Sequence, residues 1–387
     1  MMNVNEYINT SLDKIKRMKQ TAGVGYPSCG YTEDGKYKFS DSGGWTGGFF
    51  TGLLYLSYME TKDEWYLNAA REYDDDYQRI ADTMLPLYGH DLGFVFTLKD
   101  VFDYKITGVE KYKERALAAA KVLLARYNKE IGIIPAWDFH PFDPEADYKG
   151  RIICDTMMNL PLLMWAYEVT GEEEFKIAAE RHAKNSAEHL IRDDNSAFHV
   201  FDFDSKTGEP KGGKTMQGYS DDSCWTRGLS WLVYGFTIMY RYTSDKYYLK
   251  AAERVTDYFL SHLSAYNLAI HDFAVADLDF KPWDASANAV VVCAIKELSK
   301  LGMDKEKKAR YSEYADKIIH SLIYLCSTMY IPELEPLLIH VSGNPIYKKG
   351  AENVLVFPNA DTSIIFGDYF FFEALMRYKD NDIIIPW

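Results

Sequence analysis

The chain has 387 residues and a formal net charge of −14, from 43 Lys and Arg against 57 Asp and Glu. Hydrophobic residues make up 47% and charged residues 26%, a soluble globular balance that excludes a disordered chain. Without a Lys/Arg cluster to offset it, such a surface repels phosphate backbones and anionic headgroups, so neither nucleic acid nor a membrane surface is expected as a partner.

Helical periodicity runs through the chain. Over residues 4–19, Val4, Ile8, Leu12, Ile15 and Met18 fall on one face. Further helical patterns start near residues 46, 64, 91, 109, 155, 172, 226, 245, 285, 305 and 361, which makes about twelve helices. Strand-like alternation is confined to short patches such as Phe198–Phe203, so the class reads as all-α. A repeat punctuates the pattern. Thr61-Lys-Asp-Glu-Trp-Tyr recurs as Thr107-Gly-Val-Glu-Lys-Tyr, Thr170-Gly-Glu-Glu-Glu-Phe and Thr243-Ser-Asp-Lys-Tyr-Tyr, with a looser copy at Leu301-Gly-Met-Asp304. Each copy ends one helix and opens the next with acidic residues, which suit a helix N-terminus. The intervals of 46, 63 and 73 residues are helix pairs with loops of unequal length. Constant spacing would mean an open solenoid; unequal loops point to a closed ring of six hairpins, an (α/α)6 barrel with its functional loops at one mouth. No Pro/Ser-rich linker interrupts it, so residues 1–387 read as a single domain.

Thirty Tyr, 21 Phe and 8 Trp amount to 15% aromatics. Such a surplus either lines a sugar cleft or packs between helices, and composition leaves both open. Five scattered cysteines, Cys29, Cys154, Cys224, Cys293 and Cys326, show no C-x-x-C pairing, which argues against a disulfide scaffold or a zinc site. The nine histidines show no H-x-x-x-H or H-E-x-x-H spacing, so neither a metal nor an organic cofactor is expected. His182 and His189 read as packing or capping residues. Met1 to Gln20 is polar throughout and no apolar run approaches a membrane span, so the protein reads as soluble and cytoplasmic.

Candidate chemistry lies before the helices. Trp45 stands among four glycines and offers a stacking wall, or a tightly packed helix start. Asp91, in His90-Asp91-Leu92-Gly93-Phe94, is either a helix cap or a functional carboxylate. Asp155 has the same position behind Ile152-Ile153-Cys154, with Asn159 one turn later on its face. A carboxylate emerging from an apolar run is desolvated and suits a proton donor near neutrality. Asp91 and Asp155 are 64 residues apart, close to one hairpin repeat, so a ring places them on adjacent inner helices facing one cavity. Paired carboxylates push their pKa values apart, leaving one protonated. The segment from His199 to Trp231 adds Gln217, Asp221, Asp222, Trp225 and Arg227. That set is either a carboxylate-binding pocket or an Arg paired with Asp221 or Asp222 beside core tryptophans. The run Tyr73-Asp74-Asp75-Asp76-Tyr77 reads as a solvated helix face.

These strings together resemble glycoside hydrolase family 88, the unsaturated glucuronyl hydrolases. The resemblance rests on His90-Asp-Leu-Gly-Phe94, Asp155-Thr-Met-Met-Asn159-Leu-Pro161, His199-Val-Phe-Asp-Phe-Asp204, Thr207-Gly-Glu209, Gln217-Gly218, Trp225-Thr-Arg227-Gly228, Trp231, Tyr234-Gly235 and Asp361-Thr-Ser-Ile-Ile-Phe-Gly-Asp-Tyr369, from about residue 40 to 375. It implies an (α/α)6 barrel acting on oligosaccharides left by polysaccharide lyases, whose non-reducing uronic acid carries a C4=C5 double bond. It implies hydration of that vinyl ether, with Asp155 as general acid/base and Asp91 as second essential carboxylate. His90, His199, Gln217, Trp225, Arg227 and Trp231 would contact substrate, with Trp45 and Trp137 as aromatic walls. Arg227-Gly-Leu229-Ser230-Trp231 departs from the family's Arg-Gly-Gln-Ala-Trp, and Asp194-Asn195-Ser196 from Asp-Gly-Ser. Ser342, Lys348 and Lys349 lie in the region where relatives that favour sulfated substrates carry serines and a lysine. Two alternatives stay open, a related hydrolase of unsaturated rhamnogalacturonan fragments and a non-catalytic oligosaccharide-binding relative.

Overall fold

A computed structural model describes residues 3–31, 35–139, 147–276, 282–343 and 361–387. Helices alternate between an outer and an inner layer. The outer α1 (Val4–Ala22) leads to the inner α2 (Gly47–Thr61). The next outer member is broken into α3 (Glu64–Arg71) and α4 (Asp74–Thr83), and its inner partner is α5 (Leu92–Phe96), continued through a π-helical turn at Thr97–Val101 into α6 (Phe102–Thr107). Then follow α7 (Glu110–Ala125) and α8 (Pro161–Thr170), α9 (Glu173–His189) and α10 (Thr226–Thr243), α11 (Lys246–Ser261) and α12 (Ala285–Leu298), α13 (Lys305–Ser321) and α14 (Ile365–Lys379). Inner helices pack successively around the ring, and α14 closes it against α2. This is the (α/α)6 barrel expected from the repeat.

The repeat has a physical cause. At four of the five inner-to-outer turns the threonine hydroxyl donates to the carbonyl four residues back: Thr61 to Ser57 at 2.8 Å, Thr107 to Asp103 at 2.9 Å, Thr170 to Ala166 and Thr243 to Met239 at 2.7 Å. The same oxygen then accepts the backbone N–H two residues on, from Asp63, Val109, Glu172 and Asp245. The residue between, Lys62, Gly108, Gly171 or Ser244, takes the left-handed conformation that ends a helix. Asp63 and Asp245 go on to cap the following helices.

Short strands decorate the opposite end. They are β1 (Tyr26–Tyr31), β2 (Tyr37–Ser40), β3 (Arg151–Ile153), β4 (Val200–Phe203), β5 (Pro210–Lys214) and β6 (Thr362–Ile364), in two antiparallel sheets ordered β2-β1-β6 and β3-β4-β5. Every strand lies in a loop leading into an inner helix. The sheets therefore build one mouth, at the N-terminal ends of the inner helices. The lumen beyond is filled: Trp387 stacks on Phe370 at 5.8 Å, and Arg377 joins Glu373 at 2.9 Å and Glu297 at 2.8 Å, all buried.

Three expectations need correction. The helix anticipated near 155 is a 3₁₀ turn at Cys154–Met158, and α8 starts only at Pro161. The pattern near 361 begins with β6, and α14 follows from Ile365. The acidic run 74–76 opens α4 after a break; Asp75 is exposed as expected, but Asp74 is not. Asp74 is clasped there by Lys99 at 2.7 Å, with Lys111 and Tyr112 at 2.8 Å. His182 packs as anticipated, its Nδ1 accepting the Ile134 N–H at 2.9 Å. Among the described residues no helix is long and apolar enough to cross a membrane.

Candidate active site

Asp91 closes the 3₁₀ segment Leu85–Asp91 that leads into α5, and Asp155 lies in the turn that leads into α8. Neither side chain caps its helix, so the capping explanation fails for both. Pairing of β3 with β4 sets Asp155 in place. Ile153 is in register with Val200, and the Cys154 N–H donates to the His199 carbonyl at 3.1 Å. Buried Arg151 locks this pairing through Asp202 at 2.7 and 2.9 Å. Asp155 and His199 thus come together because they flank two paired strands.

Both carboxylates are largely enclosed, with 14% of the Asp155 side chain and 17% of the Asp91 side chain exposed. Burial pushes Asp155 up to about 6, while the Arg227 charge pulls the other way. Burial also raises Asp91 well above the usual carboxylate range, and the negative charge of Asp155 adds to it. The two therefore sense each other's charge, and Asp91 is the one held protonated to higher pH.

Each carboxylate faces a neutral imidazole. His199 Nδ1 accepts the Met216 N–H at 3.1 Å and the Gln217 N–H at 3.3 Å, so its proton sits on Nε2, 3.7 Å from Asp155 Oδ2. Burial lowers its pKa to about 3 and keeps it uncharged. His90 Nε2 lies 3.5 Å from Asp91 Oδ1, with Nδ1 3.1 Å from the Thr156 hydroxyl, and burial keeps it neutral as well.

Aromatic side chains surround this centre. Trp45, 36% exposed, stacks on Phe366 at 5.6 Å and touches Phe94. Trp137 meets His90 edge-on at 5.7 Å, and Trp225 lies against His199 at 4.4 Å. Trp231 is fully buried among Phe94, Phe366 and Phe370, so it stands inside the wall and exposes no face. The indole N–H groups of Trp225 and Trp231, His199 Nε2 and Asp155 Oδ2 are buried without a hydrogen-bond partner among the described residues. His199 Nε2 faces Asp155 and Trp225 packs against His199, so two donors and one acceptor left open beside this carboxylate fit an oxygen-rich ligand.

Arg227 is paired, but not with an acid of its own loop. Arg227 Nη1 donates to buried Asp284 at 2.6 Å and to the Ser342 carbonyl; Nη2 donates to Gln217 Oε1 at 3.1 Å and the Gly343 carbonyl at 3.2 Å. Its partner is therefore neither Asp221 nor Asp222. Ser342 is also engaged, its buried hydroxyl 2.5 Å from His271 Nδ1. Lys348 and Lys349 lie outside the described residues. Sequence reasoning missed Asp284 and His271. Asp284 was findable, because it precedes an inner helix as Asp91 and Asp155 do.

A six-hairpin ring with two desolvated carboxylates and aromatic walls at its mouth has the makings of a carbohydrate-cleaving enzyme. Comparison places it more closely: residues 14–272 match Glycosyl Hydrolase Family 88. The chain belongs to that family and is a glycoside hydrolase. It is 35% identical over 384 residues to an unsaturated chondroitin disaccharide hydrolase of Streptococcus agalactiae, covering 98% of this chain and 92% of that protein. The crystal structure of unsaturated glucuronyl hydrolase from Bacillus sp. GL1, described as responsible for glycosaminoglycan degradation, superposes with a TM-score of 0.89 at 31% identity, covering 97% of each chain. An Asp-to-Asn variant of the Streptococcus agalactiae enzyme, solved with dGlcA-GalNAc6S, superposes with a TM-score of 0.82 at 32% identity, covering 99% of this chain and 93% of that one.

Proposed function

We propose that this protein releases the 4,5-unsaturated uronic acid from the non-reducing end of lyase-generated oligosaccharides, with glycosaminoglycan-type disaccharides as substrates. The observation that carries the reading is the desolvated pair, with Asp155 raised to about 6 and its Oδ2 unpartnered. The named activities of the relatives support the substrate class.

Hydration of a vinyl ether needs a proton delivered to carbon, so the stronger acid of the pair is the better donor. Arg227 makes Asp155 that acid. Asp155 protonates C4, positive charge develops across C5 and the ring oxygen, and water adds at C5 while its proton returns to Asp155. The hemiketal at C5 opens to a ketone, and the hemiacetal this leaves at C1 expels the remaining saccharide. The product is a 4-deoxy keto-uronate. Asp91, retaining its proton, donates a hydrogen bond and keeps a second negative charge out of the cavity. His199 and Trp225 offer N–H groups to substrate oxygens, and Trp45 and Trp137 form the walls. Arg227, balanced by Asp284, acts on Asp155 through its field.

The conjugated double bond is the chromophore, so its ultraviolet absorbance follows the reaction directly. Incubation with unsaturated chondroitin disaccharide, with and without 6-sulfate, should bleach it with wild type and not with Asp155→Asn. Binding without bleaching by wild type would refute catalysis and favour the binding relative. Bleaching only of unsaturated rhamnogalacturonan fragments would move the substrate to the related family.

A further inference from the structure

Outside the residues already assigned, one buried side chain ties the segment that carries Asp91 to the segment that carries Asp155. Asn159 follows the Asp155 turn and is fully buried. Its Oδ1 accepts the Phe94 N–H at 2.6 Å, at the start of the helix that Asp91 introduces. Its Nδ2 donates to the Asp155 carbonyl at 3.0 Å. Those two bonds fix which end of the amide is oxygen, since Phe94 offers only a donor and Asp155 only an acceptor there.

The same Nδ2 lies 3.4 Å from His90 Nδ1. An amide nitrogen cannot accept a hydrogen bond, and the Thr156 hydroxyl, 3.1 Å from the same Nδ1, can donate, so both neighbours fit a His90 Nδ1 that presents its lone pair. The imidazole proton is thereby placed on Nε2, facing Asp91 Oδ1. The backbones are equally close. A Cβ on Gly93 would stand 2.3 Å from the Asn159 Cα, so only glycine allows the two elements to meet.

We propose that Asn159 is a positioning residue that sets the separation of Asp91 and Asp155 and, through His90, the proton donor facing Asp91. The inference rests on the proposed roles of those two carboxylates. Asn159 touches no reacting atom in this scheme; it acts through its neighbours.

Two variants separate position from proton placement. Asn159→Ala removes all three contacts, and kcat should fall about 10- to 100-fold with little change in KM, as for a small misplacement of reacting groups. Asn159→Asp keeps the shape and the Phe94 bond but cannot donate. It should draw the His90 proton to Nδ1, and its charge should move the pH–rate profile to higher pH. The imidazole ¹⁵N shifts of His90, read in ligand-free protein, report the tautomer without any activity assay. The expected result is Nε2–H in wild type and Nδ1–H in Asn159→Asp, with both variants folded by circular dichroism. An active wild type whose Asn159→Ala and Asn159→Asp variants keep its kcat and pH profile would overturn the proposal. So would a wild-type His90 protonated on Nδ1. An inactive wild type with the expected tautomers would instead strike at the reading of the carboxylates.

Discussion

A carboxylate held in a desolvated cavity weakens the fold that holds it, and Asp155 gives that cost a size. Its folded pKa of about 6 stands above the ordinary 3.8, so the native state binds the proton more tightly than the unfolded chain does. The penalty is absent below about pH 4, grows between about 4 and 6, and is complete above that range. At about 1.36 kcal/mol per pKa unit it reaches about 3 kcal/mol by pH 8. Asp155→Asn removes it, and the amide oxygen can still face the His199 Nε2–H. For a chain of this length, with an unfolding entropy of about 2.1 cal/mol/K per residue, the variant should melt about 4 °C above wild type at pH 8. Near pH 4 the gain should shrink below about 1 kcal/mol. Differential scanning fluorimetry across that range is the assay. A variant that melts lower than wild type at pH 8, or gains equally at both pH values, would refute the desolvated-acid argument.

The same shift predicts the pH profile of catalysis. As the proposed acid Asp155 acts only while protonated, so kcat/KM should decline as pH rises through about 6. Neutralising both members of the Arg227–Asp284 pair, as Arg227→Met with Asp284→Asn, withdraws the pull on Asp155 and should shift that decline upward. The pair also sets a stability test. Asp284→Ala alone strands a buried guanidinium and should cost about 3–5 kcal/mol in urea unfolding, more than the charge-neutral double variant costs.

Much of this architecture was legible because its causes are local. The Thr-x-x turn closes its hydrogen bonds within six residues, so four copies could be recognised without any knowledge of what the helices touch. The helix break before Asp74 was not legible, because it carries no strong local signal, whereas Pro161 does mark the first turn of α8 and the apolar pattern from 155 overran it. Asp74 stays at its helix start because Lys99 and Lys111, from the next inner and outer helices, reach it. The aromatic surplus likewise divides by place in the ring. Trp45 stands at the mouth, and Trp231 and Trp387 fill the lumen. Composition had no means of separating them.

The Arg227 pairing shows what the ring does to sequence distance. Local reasoning looks to Asp221 and Asp222, yet these serve their own loop: Asp221 accepts the Thr215 N–H at 3.0 Å and Asp222 the Ser220 hydroxyl at 2.6 Å. The true partner, Asp284, stands before the next inner helix. In a closed ring of hairpins, residues one repeat apart become neighbours at the mouth, whereas residues a few positions apart in a loop are commonly spent on its turns. That rule brought Asp91 and Asp155 together from spacing alone. Applied about two repeats further along the chain it reaches Asp284, the acid that neutralises Arg227 and so sets how strongly that cation acidifies Asp155. The period that locates Asp155 thus also locates a group that tunes it.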